Sequence, residues 1–319
     1  MINRMEGAMS FAFFRAEFMR LYHQGRLADA YDWLKLGGGQ FPQQAALLFF
    51  WRACILCLLK KPGEAIQTLQ DGLSLGYWWA EALLRDDADL ADCQGLPEFE
   101  KIVQISEACH LKAEKEYPAE IFIYPPDSPL ASSTPLMVVL HSRSGNPQEM
   151  AQSYLTLVRQ GWMVAMIRSS QMLFEGGFTW DDGARARSDI KDMMNELWEN
   201  FPGEYFPLVA SGFSQGGGLA IEIALDGTFP VQGVIAVAPY LRNLPETSLI
   251  AATSEITRPR FYLVTGDEDS LQETFSGIEN FLISKQFLCK RERQPNLGHD
   301  FPLDFEPSLL RGLEFILEK

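Results

Sequence analysis

The stretch PLVASGFSQGGGLAIEIAL, Pro207–Leu225, decides how the rest of the chain is read. It begins as a short apolar run, Leu208–Ser211, of the kind a buried strand requires. It ends with helical spacing over Gly217–Leu225. Between the two lies Gly212-Phe213-Ser214-Gln215-Gly216, a G-x-S-x-G pattern. The pattern alone is weak, but a strand-to-helix turn gives it mechanical meaning. Glycine on either side lets neighbouring backbone pass where a Cβ would collide. The following helix points its positive N-terminal end at Ser214 and so favours negative charge on a nearby oxygen. Ser214 is the candidate nucleophile. A serine that merely caps a Gly-rich helix is the alternative.

Working outward, the same grammar fills residues 113–319. Apolar, β-rich runs occur at Glu120–Tyr124, Leu136–Leu140, Trp162–Ile167, Val234–Ala238 and Phe261–Thr265, with a last one near Leu288–Glu292. Helical patterns over Gln148–Gln160, Ala184–Glu199 and Leu271–Ser284 alternate with them. Such alternation predicts an α/β fold, a doubly wound and mostly parallel sheet covered on both faces. Ligands of these folds bind at the carboxyl ends of the strands, so the residues just after each run carry the chemistry.

Those positions hold candidate partners for Ser214. The chain has four histidines. His23 and His110 fall in the first third, His141 precedes the nucleophile, and His299 alone follows it, in PNLGHDFP. The sequence TGDEDS after Phe261–Thr265 supplies two carboxylates, Asp267 and Asp269. With these residues the C-terminal two-thirds resembles an α/β-hydrolase, nearest the phospholipase/carboxylesterase and esterase-D-like groups. The resemblance implies a triad in the order nucleophile, acid, histidine, with His299 as general base. It implies Asp269 as the acid, because Thr265-Gly266-Asp267-Glu268-Asp269 follows the family's H-G-x-x-D with Thr in place of His; Asp267 is the rival.

The resemblance also implies an oxyanion hole. Its donors would be the backbone N–H groups of Gln215 and, in PLMVVLHSRSGNP (Pro135–Pro147), of Arg143. Ser142 and Ser144 stand where the family usually has glycine, which puts the shape of that loop in question. His141 reads as a brace of the loop. The long loop Ser169–Asp182 follows the run Trp162–Ile167, and its Phe178 and Trp180 are candidates for an apolar wall of the substrate pocket, against the alternative of local packing. Glu175, Asp181 and Asp182 make that side acidic, which disfavours strongly anionic substrates.

Up to residue 112 the sequence reads as helices. GRLADAYDWL (Gly25–Leu34) and KPGEAIQTL (Lys61–Leu69) echo one another, each with Ala and then Leu four residues later. Ala30 and Ala65 lie about 35 residues apart, close to the ~34 of a tetratricopeptide repeat. The segment 1–112 resembles two such helical hairpins with a degenerate third near Tyr77–Val103. It is expected to form a smaller all-α, tetratricopeptide-like domain, serving as a cap or binding a protein partner.

Composition limits the function classes. The net charge of -15 opposes sequence-independent nucleic-acid binding. The N-terminus is interrupted by Arg4, Glu6, Arg15 and Glu17, and Ala45–Leu59 is short with Arg52 at its centre, so neither a secretory signal nor a membrane span is expected. A cytoplasmic location is the default. Five cysteines suggest no disulfide framework, and Cys54 and Cys57, a C-x-x-C inside an apolar run, read as small core residues. No metal and no cofactor are expected. The expected activity is hydrolysis of a small-molecule carboxylic ester or thioester through an acyl-enzyme on Ser214. The alternatives are a dipeptidyl-type peptidase with the same triad and a non-catalytic adaptor that binds through its helices.

Overall fold

Leu136, Val138 and Leu140 join one apolar cluster, while Met137 and Val139 join another. Successive side chains of a strand point to opposite faces, so this strand is buried on both. In the computed structural model, which describes residues 9–128, 133–228, 230–244 and 258–318, it is the second of nine strands among the described residues. They are β1 (Glu120–Tyr124), β2 (Ser133–Leu140), β3 (Met163–Arg168), β4 (Gln171–Phe174), β5 (Gly177–Thr179), β6 (Glu204–Phe213), β7 (Gly233–Val237), β8 (Arg260–Gly266) and β9 (Cys289–Gln294).

Seven of them form one sheet in the order β1-β3-β2-β6-β7-β8-β9. Only the β1–β3 pair is antiparallel. Parallel neighbours require crossovers, and the helices that make them cover the sheet. The helices of this part are α7 (Pro147–Tyr154), α8 (Thr156–Arg159), α9 (Gly183–Asn200), α10 (Gln215–Asp226), α11 (Gln272–Ser284) and α12 (Glu306–Leu317). Side chains of α9 and α10 pack on one face of the sheet, and those of α7 and α12 on the other. The sheet is thus doubly wound and mostly parallel, as the alternation of runs predicts.

The chain divides into two compact units, Met1–Glu116 with Met172–Gly177 and Tyr117–Gln171 with Phe178–Lys319. The first is helical: α1 (Phe11–His23), α2 (Leu27–Gly37), α3 (Ala45–Leu58), α4 (Pro62–Ser74), α5 (Glu81–Asp86) and α6 (Pro97–Glu116), with 3-10 turns at Gly38–Gln40, Pro42–Gln44 and Ala88–Cys93. The two echoed stretches lie on α2 and α4, and Ala30 and Ala65 are fully buried there. The first unit also takes Leu173 and Phe174, which pack in a cluster with Trp79, Leu83 and Phe99. Backbone pairing fixes them: the Ala80 N–H donates to Leu173 O at 2.7 Å, and Trp79 bridges Phe174. Among the described residues no helix is long and apolar enough to cross a membrane.

Candidate active site

Ser214 sits between β6 and α10 with φ 54 and ψ -118. That conformation is costly for a residue with a Cβ and persists only where the surroundings impose it. They do so here by close approach. A Cβ on Gly212 would lie 2.5 Å from the Gly216 backbone, and one on Gly216 would lie 2.3 Å from Leu140 O. Both glycines of the motif are therefore required by backbone packing. The Ser214 N–H donates to Val237 O at 2.9 Å, and its carbonyl accepts from Tyr240 and Gly218 N–H. The turn is thereby tied to β7, to the segment after it and to its own helix.

Three strand ends converge on this turn. Ser214 Oγ lies 2.9 Å from His299 Nε2, and His299 Nδ1 lies 2.8 Å from Asp269 Oδ2. The carboxylate is the acceptor in the second contact, so Nδ1 carries the proton and Nε2 is free to take one from the serine. The Asp269 side chain is fully buried, and its Oδ1 accepts from the Leu271 N–H at 2.9 Å. Asp267, in contrast, is exposed, and its N–H donates to Gln294 O. The His299 ring rests on Phe213 with centroids 5.5 Å apart, and Phe213 in turn meets Phe301 edge-on.

The loop after β2 faces the same turn. Ser144 adopts a left-handed φ of 66, although it is not glycine. Its N–H donates to Phe178 O, the Phe178 N–H donates to Gly145 O, and the Gly145 N–H donates to Ser142 O. The N–H of Arg143 has no acceptor among the described residues. The Gln215 N–H opens α10 and so has no acceptor within the helix. The Gln215 side chain is anchored: Oε1 accepts from Trp180 N–H and Thr179 Oγ1, and Nε2 donates to Asp181 Oδ1 at 2.7 Å. Asp181 also pairs with Arg143 at 3.3 Å. Burial works against the charge of Asp181, but Arg143 and these donors outweigh it and hold its carboxyl below the usual range.

His141 is held from every side. Its Nδ1 donates to Ser142 O at 2.8 Å, its Nε2 accepts from Ser169 N–H at 3.2 Å, and its ring stacks on Trp180 at 4.6 Å. Burial pushes its pKa down to about 4, with the Arg168 charge adding to the effect against the Ser142 carbonyl. It is a neutral brace. Ser169 and Ser170 are themselves fixed by the buried Asp189, which accepts from both. Phe178 and Trp180 are each 4% exposed, and the Trp180 indole N–H donates to His141 O. Through the Phe178 backbone and the Trp180 indole, both residues bind the loop after β2.

The sequence did not disclose Ser169 or Asp189 as supports, nor the hairpin β4–β5. The hairpin has a local signal in Phe174-Glu175-Gly176-Gly177, where Gly176 turns with φ 82. Elsewhere, one grouping of three metal-capable side chains occurs among the described residues: Cys54, Asp87 and Asp89 in the first unit. Burial raises the Cys54 thiol well above its usual value, so it is a protonated thiol there, and Asp89 accepts from Tyr22 Oη. Cys57 Sγ lies 3.0 Å from Cys93 Sγ in the same core.

Comparison with known proteins agrees with this architecture. Residues 11–114 match the family model described as the N-terminal domain of A/B hydrolase-like proteins. Among solved structures, an uncharacterized protein from Bacillus cereus ATCC 10987 is similar over 97% of this chain and 99% of its own, with 23% identity and a TM-score of 0.54. The Bacillus cereus carboxylesterase is similar over 65% of this chain and 99% of its own, with 13% identity and a TM-score of 0.51. Esterase PE8 covers 63% of this chain and 100% of its own, with 18% identity and a TM-score of 0.50. No curated protein sequence matches the chain. The sheet-bearing unit has the α/β-hydrolase fold, preceded by a helical N-terminal domain.

Proposed function

We propose that the protein is a serine hydrolase that cleaves a carboxylic ester or thioester through an acyl-enzyme on Ser214. One observation carries the reading: the hydrogen-bonded chain from Ser214 Oγ through His299 to the buried Asp269, at 2.9 and 2.8 Å. A serine hydroxyl is a weak nucleophile until a base takes its proton, and this base is oriented by a carboxylate. That the Bacillus cereus carboxylesterase and esterase PE8 share the fold lends support.

Ser214 Oγ attacks the acyl carbonyl as His299 Nε2 accepts its proton. The backbone N–H groups of Gln215 and Arg143 bind the resulting oxyanion; each such donor contributes about 3 kcal/mol in comparable sites. The imidazolium, steadied by Asp269, returns the proton to the leaving alkoxide or thiolate. A water then attacks the acyl-enzyme with the same histidine as base. Alkoxide and thiolate leave more readily than an amine, so esters and thioesters are favoured over amides. Phe178 and Trp180 serve the site by fixing the loop that carries Arg143.

A fluorophosphonate probe and a graded panel of p-nitrophenyl esters, run beside amide and thioester substrates, test the proposal. Ser214→Ala should lose the label and at least ~10⁴-fold of kcat while keeping its fold. Near wild-type turnover in purified Ser214→Ala protein would sink the assignment. Preferential cleavage of the amide would move the reading to a peptidase.

A further inference from the structure

Arg291 lies on β9, and its side chain is only 3% exposed. A buried guanidinium is costly unless its donors are satisfied. Its Nε donates to Thr265 Oγ1 at 2.9 Å, one terminal nitrogen to Ser276 Oγ at 3.2 Å, and the other to Gln272 Oε1 at 2.5 Å. Its Cζ lies over the Phe275 ring, 5.4 Å from the centroid, and Glu279 lies 3.9 Å away. The cation is therefore fastened to the end of β8 and to the first turns of α11, the two elements that flank the acid loop.

The contact with Gln272 has a consequence for that loop. With Oε1 pinned by Arg291, the amide nitrogen must point the other way. It donates to Gly266 O at 2.6 Å and to Asp269 O at 3.2 Å. A flipped amide would set NH₂ against the guanidinium and oxygen against two carbonyls, so the cation fixes which way the amide points. Those two carbonyls bracket the turn that presents Asp269. One amide closes the turn, and one buried cation orients the amide.

We propose that Arg291, acting through Gln272, is the positioning residue that holds Asp269 in register with His299. The inference rests on the serine-hydrolase reading of the same site. A misplacement of a catalytic group by about 1 Å costs on the order of 10²-fold in rate, which is the scale such a brace controls.

The test compares wild type, Gln272→Glu and Arg291→Met in the full chain, on the best p-nitrophenyl ester of the panel. Gln272→Glu keeps an acceptor for Arg291 but replaces the donor facing Gly266 O and Asp269 O by an oxygen. It should melt within a few degrees of wild type, lower kcat about tenfold or more with KM within about twofold, and shift or broaden the low-field proton resonance of His299 Nδ1–H. Arg291→Met should do the same more strongly; if it fails to fold, Gln272→Glu decides alone. Wild-type kcat with an unchanged His299 proton in Gln272→Glu overturns the positioning role, as does a loss confined to KM or to melting temperature. The two readings separate cleanly. A wild-type protein whose Ser214 takes no fluorophosphonate overturns the hydrolase reading, while the proton resonance still reports whether Gln272 and Arg291 position Asp269.

Discussion

His141 and Asp269 are both buried at the site. His141 is kept neutral, with a pKa near 4, because burial and the nearby Arg168 charge both oppose its protonation. The unfolded chain titrates it near 6.5, so between these values the unfolded state binds more protons than the folded one. The stabilisation is full above about pH 6.5 and is lost as pH falls toward 4, up to about 3 kcal/mol from this group alone. His141→Gln removes the titration, so the stability gap between wild type and variant should narrow steadily from pH 7 to 4 in urea melts. A constant gap would show that His141 titrates normally. Asp269 is held by His299 Nδ1 and by the Leu271 N–H. Asp269→Asn should lower kcat/KM by about 10⁴-fold, because an amide favours the wrong tautomer of His299. Asp267→Asn, at an exposed residue whose backbone N–H donates to Gln294 O, should change it less than about twofold. Ser214, Asp269 and His299 were legible as candidates because each follows a predicted strand, and the resemblance supplied their proposed order. The support of His141 by Ser169 and Asp189, and the separate anchoring of Gln272 by Arg291, were not, since each joins residues far apart in sequence whose only signal is where the sheet brings them.

At the scale of elements, glycine explains how α10 approaches the sheet. A Cβ on Gly218 would lie 1.9 Å from Tyr240 O, a backbone atom with no freedom to retreat. Alanine is ordinarily favoured over glycine in a helix by about 1 kcal/mol. At Gly218 the collision should reverse that preference, and Gly218→Ala is expected to cost more than about 2 kcal/mol in a chemical melt. Gly277 in α11 is the matched control, since a Cβ there meets nothing within 4 Å. Gly277→Ala should stabilise by up to about 1 kcal/mol. Equal effects at both positions would mean that the close approach of α10 is not what fixes the nucleophile turn. The long apolar runs of β2, β3 and β6–β8 announced themselves, because burial on both faces demands continuous hydrophobicity. The short strands β4 and β5 did not, and Ser169–Asp182 reads as a loop. At four and three residues they are too brief for a period to emerge.

On the scale of the whole molecule, the first unit is discontinuous in sequence, because Met172–Gly177 belongs to it. Leu173 and Phe174 are nearly as buried as Trp79, beside which they pack. Burying two such side chains contributes roughly 3–5 kcal/mol. A fragment of residues 1–116 should therefore melt well below the same fragment carrying residues 172–177 on a flexible linker, and it should bind a hydrophobic dye that the linked form excludes. Equal melting would show that the hairpin tip is dispensable to the helical core. This organisation was invisible in the sequence, where the change of grammar near residue 112 marks a single boundary. The arrangement also sets a timetable for biosynthesis. A ribosome delivers the chain from its N-terminus, and α1–α6 emerge early, but the last pieces of their core are encoded beyond β1, β2 and β3. Until Gly177 has left the exit tunnel, the nascent helices lack the Leu173 and Phe174 part of their core, and the apolar surface those two cover is open to a chaperone or to misassociation. The two cores thus close in interleaved order, and the newborn chain passes through a stage at which neither is complete.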